Sequence, residues 1–561
     1  MPQDTSTSSH SFLRHARLIG ALTLLSRVLG LVRDMVAGHF LGTKMIASAF
    51  TFAFSIPNLF RKLLGEGALS QAFIPLYAQA IRRGASENGE PPDRFAAGSL
   101  KLLGMILIAI TIVGEIILGT LIVANLHTSN VRWLLMLQFT AIMLPYVMLV
   151  CGGAFLSAIL QVHKRFGAPA FAPVLLNVLH IAVVAGGAWY LGLQGRQELT
   201  PHVIDLQTRL AFMLAVAVVI AGVLQVLVLL PALRQIGFKF QFSTARAFSP
   251  DTRRMLRLTI PVAIGAAVLQ TSVLLDKGIS YVLMQGVDRN DNLIREFTLL
   301  GQTIRYPMEI GATRRLEIAQ LMYQFPLGIF AIALATAMFP SLSAGAMDEH
   351  RAAFKRITRR GIEATLWEGL PASIGLALVA DPAVRLLFQH GQITAADATL
   401  IIHSTRYYAA GIWAYSLLQV VNRAYYALHD TRTPLIASVL NIVVNLAVEL
   451  PLIWYMGEAG MAVGTLVSFS LQAILMIWLL GRRVGGLELR SSVAPILKML
   501  LASAIMLIIC LAIKHSRIYP QGDSRQVWAV QLALLTVIGA GVYAALCKLM
   551  KVRSTEAGDA V

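Results

Sequence analysis

From Leu18 to Cys547 the chain is a succession of long apolar runs separated by short polar segments. An apolar run of about 18 residues or more, wound as an α-helix, crosses the hydrocarbon core of a bilayer. In lipid, backbone polar groups find partners only inside a helix or a closed barrel. The runs are continuous rather than alternating in short segments, which excludes the barrel. Charged residues make up only 14% of the chain, where soluble domains carry about a quarter. The expected fold class is therefore an all-α polytopic membrane protein. Fourteen spans are expected, near 18–42, 46–78, 98–125, 132–161, 170–193, 209–233, 257–286, 317–345, 361–388, 398–428, 433–456, 459–481, 493–513 and 527–547.

The net charge of +18 bears on orientation rather than on a nucleic-acid partner. More than half of the 47 lysines and arginines fall in segments that lie on one side when the N-terminus is cytoplasmic. That bias sets an N-in, C-in topology, consistent with an even span count. The segments on the other side are short; even 287–316 is too small for a catalytic domain, and no G-x-x-x-x-G-K-[ST] phosphate loop exists. A transporter rather than an enzyme is the expectation, with no cofactor. Cys151, Cys510 and Cys547 are far apart in sequence, form no C-x-x-C pair and read as small core residues.

Certain features recur at a near-constant offset. PAFAPVLLNV begins at Pro169 and PLIASVLNIV at Pro434; Asn177 is answered by Asn441 and Pro75 by Pro340. The offset carries the second span onto the eighth and the fifth onto the eleventh. The repeat is thus six spans, and an even repeat places both copies in the same orientation as two parallel lobes. The organisation expected is a tail at 1–17, an N-lobe at 18–236, a cytoplasmic linker at 237–256, a C-lobe at 257–483, two further helices within 493–547 and a tail at 548–561. Substrate is expected between the lobes.

Within the first span the stretch SRVLGLVRDMVAG carries Arg27, Arg33 and Asp34. At about 100° per residue, Arg27 and Asp34 share one stripe and Arg33 lies about 100° from Asp34. The three fit on one broad side of the helix, which must face a wet cavity. A charge at the centre of a bilayer costs at least about 2.5–3.5 kcal/mol, so such residues are functional candidates. The second span adds Asn58, Arg61, Lys62 and Glu66, with Lys62 and Glu66 spaced i,i+4. Guanidinium forks suit phosphate oxygens two at a time. The residues alone leave two readings open, a cationic cavity wall or an internal lattice of ion pairs.

Six stretches carry a family resemblance: SRVLGLVRDMVAGHFLGT, IPNLFRKLLGEGALSQAFIPLYAQ, FGAPAFAPVLLN, FPLGIFAIALATAMFPSLS, LFQHGQITAADA and NRAYYALHDTRTPL. They resemble the lipid II flippases, the MurJ/MviN family of the multidrug/oligosaccharidyl-lipid/polysaccharide exporter superfamily, which have fourteen spans. The resemblance implies a monomer of the bacterial inner membrane that serves peptidoglycan biosynthesis and cell shape. It would flip the undecaprenyl-diphosphate-linked precursor, lipid II, by alternating access, among membrane lipids and other cell-wall synthesis proteins. It implies substrate contacts at Arg27, Arg33 and Arg61, with Asp34, Lys62 and Glu66 beside them, and a lipid-tail groove at 493–547. It also implies a sodium coupling site made by Asp276, Asn441, Asn445, Thr465 and the Met461 carbonyl, with the membrane potential as the other source of drive.

The chain departs from the family pattern in the eighth span, where Gln320 and Leu321 stand in place of an aspartate and an arginine. Arg314 and Arg315 just upstream read as loop arginines. Glu115, Glu363, Glu368 and Glu449 are further candidates for carrying a proton. A flippase for another polyprenyl-linked oligosaccharide, a drug antiporter of the same superfamily, a membrane glycosyltransferase or ligase, and a non-transporting cell-wall scaffold stand as alternatives. A cationic-drug antiporter would line its cavity with acids, whereas this one reads as basic.

Overall fold

The computed structural model describes residues 5–63, 69–83, 91–126, 130–240, 247–289, 292–329, 331–347 and 351–552. Among these the chain is helical throughout, apart from two short hairpins. The first helices are α1 (Thr5–Leu41), α2 (Met45–Phe60), α3 (Leu69–Arg83), α4 (Pro92–Asn125), α5 (Val131–Met143), α6 (Tyr146–Val162), α7 (Gly167–Tyr190), α8 (Pro201–Gln235) and α9 (Pro250–Val282). Four strands follow, β1 (Gly286–Val287), β2 (Leu293–Ile294), β3 (Glu296–Leu299) and β4 (Gln302–Arg305), paired antiparallel as β1–β2 and β3–β4. The rest is helical again: α10 (Ala312–Ile329), α11 (Ala331–Ala346), α12 (Ala352–Phe388), α13 (Ala395–Ala410), α14 (Ile412–Ala427), α15 (Arg432–Met456), α16 (Glu458–Arg483), α17 (Arg490–Lys514) and α18 (Arg525–Leu549).

Ten helical segments among the described residues are long and apolar enough to cross a membrane. Their outward faces confirm the solvent they expect. On α4, Ile112, Val113, Ile116 and Ile117 are all more than half exposed, a surface water would not tolerate but lipid does. Helix also covers the four other segments expected to span. One of them is α1, with its charges; another is the α2–α3 segment, whose residues 64–68 lie outside the described residues. Two expected spans turn out to be two helices each. In the fourth, Pro145 has no N–H to continue α5 into α6. In the tenth, α13 stops at Gly411, where a Cβ would meet the Tyr415 hydroxyl at 2.6 Å. In the eighth, residue 330, between α10 and α11, lies outside the described residues.

The chain divides into two compact units, Met1–Tyr306 and Pro307–Val561. In the first unit α9 packs against α2, α3 and α4. The first unit is held by buried aromatics, among them Phe73 stacked on Tyr77 and Phe95 at ring-centre distances of 5.1 and 5.7 Å. It also holds a cluster of Leu41, Val184, Leu193, Leu210 and Leu214 from α1, α7 and α8 and the turn after α7. In the second unit α12, α14, α16, α17 and α18 share one large core that includes Phe354, Val421, Met476, Met506 and Tyr543. Cys151, Cys510 and Cys547 are free and buried, as their apolar settings led one to expect.

Helices α15 and α16 pack tightly along their length, and small residues explain why. A Cβ at Gly460 would lie 2.6 Å from the Leu452 carbonyl carbon, and one at Gly464 would lie 2.6 Å from Glu449 Cβ. The turn into α15 is locked by Asp430. Its carboxylate accepts the Arg432 and Thr433 N–H groups, both at 3.0 Å, and the Thr433 hydroxyl at 2.6 Å, and it pairs with Arg483 of α16. Burial pushes this carboxyl up, but the Thr433 bonds, Arg483 and the Arg432 N–H outweigh it and hold the acid below its usual range. Because the folded state lowers the acid's affinity for protons, its contribution is complete above the ordinary carboxylate range and is lost as the pH falls through it. Asp430→Asn keeps the acceptor oxygen but loses the charge that pairs with part-exposed Arg483, and should cost up to about 1 kcal/mol near neutral pH. The gap from wild type should close below about pH 4, read from thermal unfolding of both proteins across that range.

Candidate functional site

The first unit gathers the expected cationic residues on α1 and α2. Arg33 donates to Asp34 Oδ2 at 3.0 Å and, across to α7, to Asn177 Oδ1 at 3.2 Å. Asn177 returns a hydrogen bond from its amide to the Ser26 carbonyl at 2.9 Å. The fork of Arg33 is thus aimed by one acid and one amide, both part-buried or buried, and α1 is pinned to α7. Arg27 is exposed on the same helix. On α2, Arg61 Nε donates to Asn58 Oδ1 at 2.9 Å. Here the helix widens: residues 61–63 wind as a π turn, a distortion that recurs at functional sites. Pro57, four residues earlier, already removes one intrahelical donor. Lys62 is half-buried in this turn, while the expected Lys62–Glu66 pair involves Glu66, outside the described residues.

His180 lies one turn from Asn177 on α7. It is buried edge-on to Phe50 and Phe54, with ring centres 6.3 and 5.9 Å away, and neither ring nitrogen has a hydrogen-bond partner among the described residues. A lone histidine in an apolar run offered no pattern to read in advance.

Four of the five residues expected to hold sodium sit in one seam of the second unit. Asn441, Asn445, Met461 and Thr465 are all buried on α15 and α16. The Thr465 hydroxyl donates to the Met461 carbonyl at 3.1 Å, and Ser468 donates to Asn445 Oδ1 at 3.3 Å. Asn445 in turn donates to Glu449 Oε2 at 3.0 Å. The donor set of hydroxyl, amide and carbonyl oxygens suits a hard monovalent cation, and within this unit the carboxylate that joins it is Glu449. Asp276 lies half-buried on α9, in the first unit. Of the other acids in the spans, Glu363 accepts from Ser492 at 2.5 Å. No group of three His, Cys, Asp or Glu that could hold a metal ion occurs among the described residues.

Two arginines classed with the loops, Arg314 and Arg315, are in fact buried. Arg315, in the first turn of α10, is 1% exposed. It meets Glu458 with its Nε at 2.9 and 3.1 Å and Asp397 at 3.2 Å, and it donates to the Ile310 carbonyl at 2.9 Å. It ties the starts of α10, α13 and α16 together and is no stand-in for a cavity arginine. Arg314 pairs with Glu317 on its own helix. Gln320, where the family pattern has an acid, donates to the Tyr408 hydroxyl at 3.2 Å.

Arg132, at the start of α5, is also 1% exposed. Its guanidinium donates to the Val282, Met284 and Gln285 carbonyls at and just past the end of α9 and to the Tyr306 hydroxyl. It lies 5.0–5.8 Å from the rings of Trp133, Tyr281 and Tyr306. The Tyr281 hydroxyl closes the box by donating to the Arg132 carbonyl at 2.6 Å.

Residues 37–521 match the family model described as Lipid II flippase MurJ. The chain is 30% identical over 474 residues to the probable lipid II flippase MurJ of Haemophilus influenzae, covering 81% of this chain and 83% of that protein. It is 29% identical over 481 residues to the lipid II flippase MurJ of Burkholderia cenocepacia, covering 84% and 83%. Among solved structures, its fold is similar to a lipid II flippase MurJ in an inward closed conformation. That likeness has a TM-score of 0.71 and 20% identity, over 95% of this chain and 98% of that one. A multidrug resistance MATE family transporter of the MOP superfamily, inward-facing, aligns with a TM-score of 0.59 and 16% identity, over 84% and 99%.

Proposed function

The chain belongs to the lipid II flippase MurJ family, and from that membership we propose that it flips undecaprenyl-diphosphate-linked peptidoglycan precursor, lipid II, from the cytoplasmic to the periplasmic leaflet. The family is one of transporters, so the chain is a transporter and not an enzyme. The observation that carries the proposal is the family match across residues 37–521. Arg27, Arg33 and Arg61 hold the diphosphate in a basic central cavity. Asp34 and Asn58 aim two of these forks before substrate arrives, and Lys62 and Glu66 stand beside them. Pre-set donors need less ordering when the phosphates bind.

Transport runs by alternating access of two parallel six-span lobes, in a fourteen-span, N-in, C-in arrangement in the bacterial inner membrane. The repeat and the distribution of basic residues support it. The drive is the membrane potential, worth about 2.3 kcal/mol per charge moved through 100 mV, or a sodium gradient. Asp276, Asn441, Asn445, Met461 and Thr465 are the proposed sodium ligands; the oxygen-rich seam of α15 and α16 supports the last four.

The test is complementation of a flippase-depleted bacterium, paired with lipid II translocation in vesicles. The full chain should restore growth and carry lipid II outward. Membrane-inserted protein that does neither would overturn the proposal. Translocation that proceeds equally with and without a sodium gradient removes the ion site and leaves the potential as the drive.

A further inference from the structure

One end of the α15–α16 pair holds a cavity that the flippase reading does not use. It measures about 490 Å³, within the usual range of ligand clefts, and its lining includes Tyr425, Ile436, Leu440, Leu479, Arg482 and Arg483. Its two halves differ in chemistry. The wall along α15 is apolar and open, with Ile436 68% and Leu440 46% exposed. The mouth is cationic: Arg482 and Arg483 end α16, and Arg432 opens α15 beside them. Asp430 is the acid bonded there, and it engages Arg483. The Arg482 guanidinium lies 4.0 Å from the centre of the Trp478 ring, held by an aromatic face rather than by an acid. The N-terminus of α15 adds partial positive charge at the same level.

A cationic mouth over an apolar wall complements a phosphate headgroup continuous with an acyl chain, and basic pockets between membrane helices take anionic headgroups. We propose that this groove binds one anionic diacyl phospholipid, its phosphate on Arg482 and Arg483 and one chain along Ile436 and Leu440. The site would hold an annular lipid in place against the pair of helices that carries the Asn445–Glu449 seam. The proposal rests on the chain spanning a membrane and stands whether or not lipid II is its cargo.

The experiment is native mass spectrometry of the full-length protein released from nanodiscs containing equal phosphatidylglycerol and phosphatidylcholine. Wild type should retain one phosphatidylglycerol in preference to phosphatidylcholine. Arg482→Gln should lower that preference about fivefold, the effect of one interfacial charge. Leu440→Trp, which fills the apolar wall from an exposed position, should lower retention of the lipid itself. The proposal would be overturned by equal retention of the two lipids by wild type, by retention unchanged in both variants, or by displacement of the bound lipid by millimolar inorganic phosphate, which would make this a free-anion site. Displacement by equimolar undecaprenyl diphosphate would also overturn it, by assigning the groove to the transported lipid.

Discussion

Replacing Arg315 by alanine is expected to destabilise the second unit by about 3–5 kcal/mol, the largest single effect on stability anticipated in this chain. Arg315 faces Glu458 and Asp397, and all three are almost completely buried. Deleting the cation leaves two carboxylates in a low-dielectric setting with their main counter-charge gone. Most of the cost is that orphaned charge rather than the worth of the original bonds. Glu458→Gln should cost less, because the amide keeps one hydrogen bond and the cation keeps Asp397. Arg209→Ala provides the contrast. Its i,i+4 pair with Asp205 is 2.9 Å long but more than half exposed, and such a pair contributes less than about 1 kcal/mol. Thermal unfolding of the three variants in one detergent makes the comparison. An Arg315→Ala protein that melts with wild type would show that its acids are already neutralised by other means.

The second large effect is on transport. Arg33→Ala, and likewise Arg27→Ala and Arg61→Ala, should each lower lipid II translocation by about 100-fold or more. A charge-assisted hydrogen bond contributes about 1.5–3 kcal/mol, and a guanidinium offers a phosphate two of them. Arg33→Lys keeps the charge but loses the fork and should recover only part of the rate. Arg33 also bridges α1 to α7, so a structural role has to be separated from a binding one. Asn177→Ala does that, since it removes the bridge at Asn177 Oδ1 and leaves the guanidinium and its Asp34 partner in place. A phosphate-binding Arg33 predicts a far smaller loss for Asn177→Ala than for Arg33→Ala. Equal losses would make Arg33 a helix tie, and normal growth of all three alanine variants would remove the diphosphate clamp altogether.

What could be read in advance follows a physical division. Spans were legible because a bilayer imposes one length and one composition on every helix that crosses it. The charges of α1 and α2 stood out because that same solvent makes them costly. Asn177 and Asn441 were visible as marks of the repeat, but not the bond from Asn177 to Arg33, which joins residues 144 apart. The buried arginines were the clearest miss. Arg132 and Arg315 sit next to polar segments and look like loop charges; only partners 82 to 174 residues away take them out of water. The hairpins between Gly286 and Arg305 escaped because strands of two to four residues show no alternation long enough to read. The breaks at Pro145 and Gly411 were spelled out in residue type, yet each lies within an apolar run whose length alone suggested an uninterrupted helix.

The box around Arg132 has a consequence for how the protein meets acid. Its contacts among the described residues are carbonyl oxygens, a phenol and aromatic faces, and none of these takes up a proton in any biological range. The Asp430 lock between α15 and α16 dissolves when its carboxylate is protonated. The fastening of α5 to the end of α9 contains nothing to neutralise, so the two junctions should part company on acidification, one loosening while the other keeps its grip.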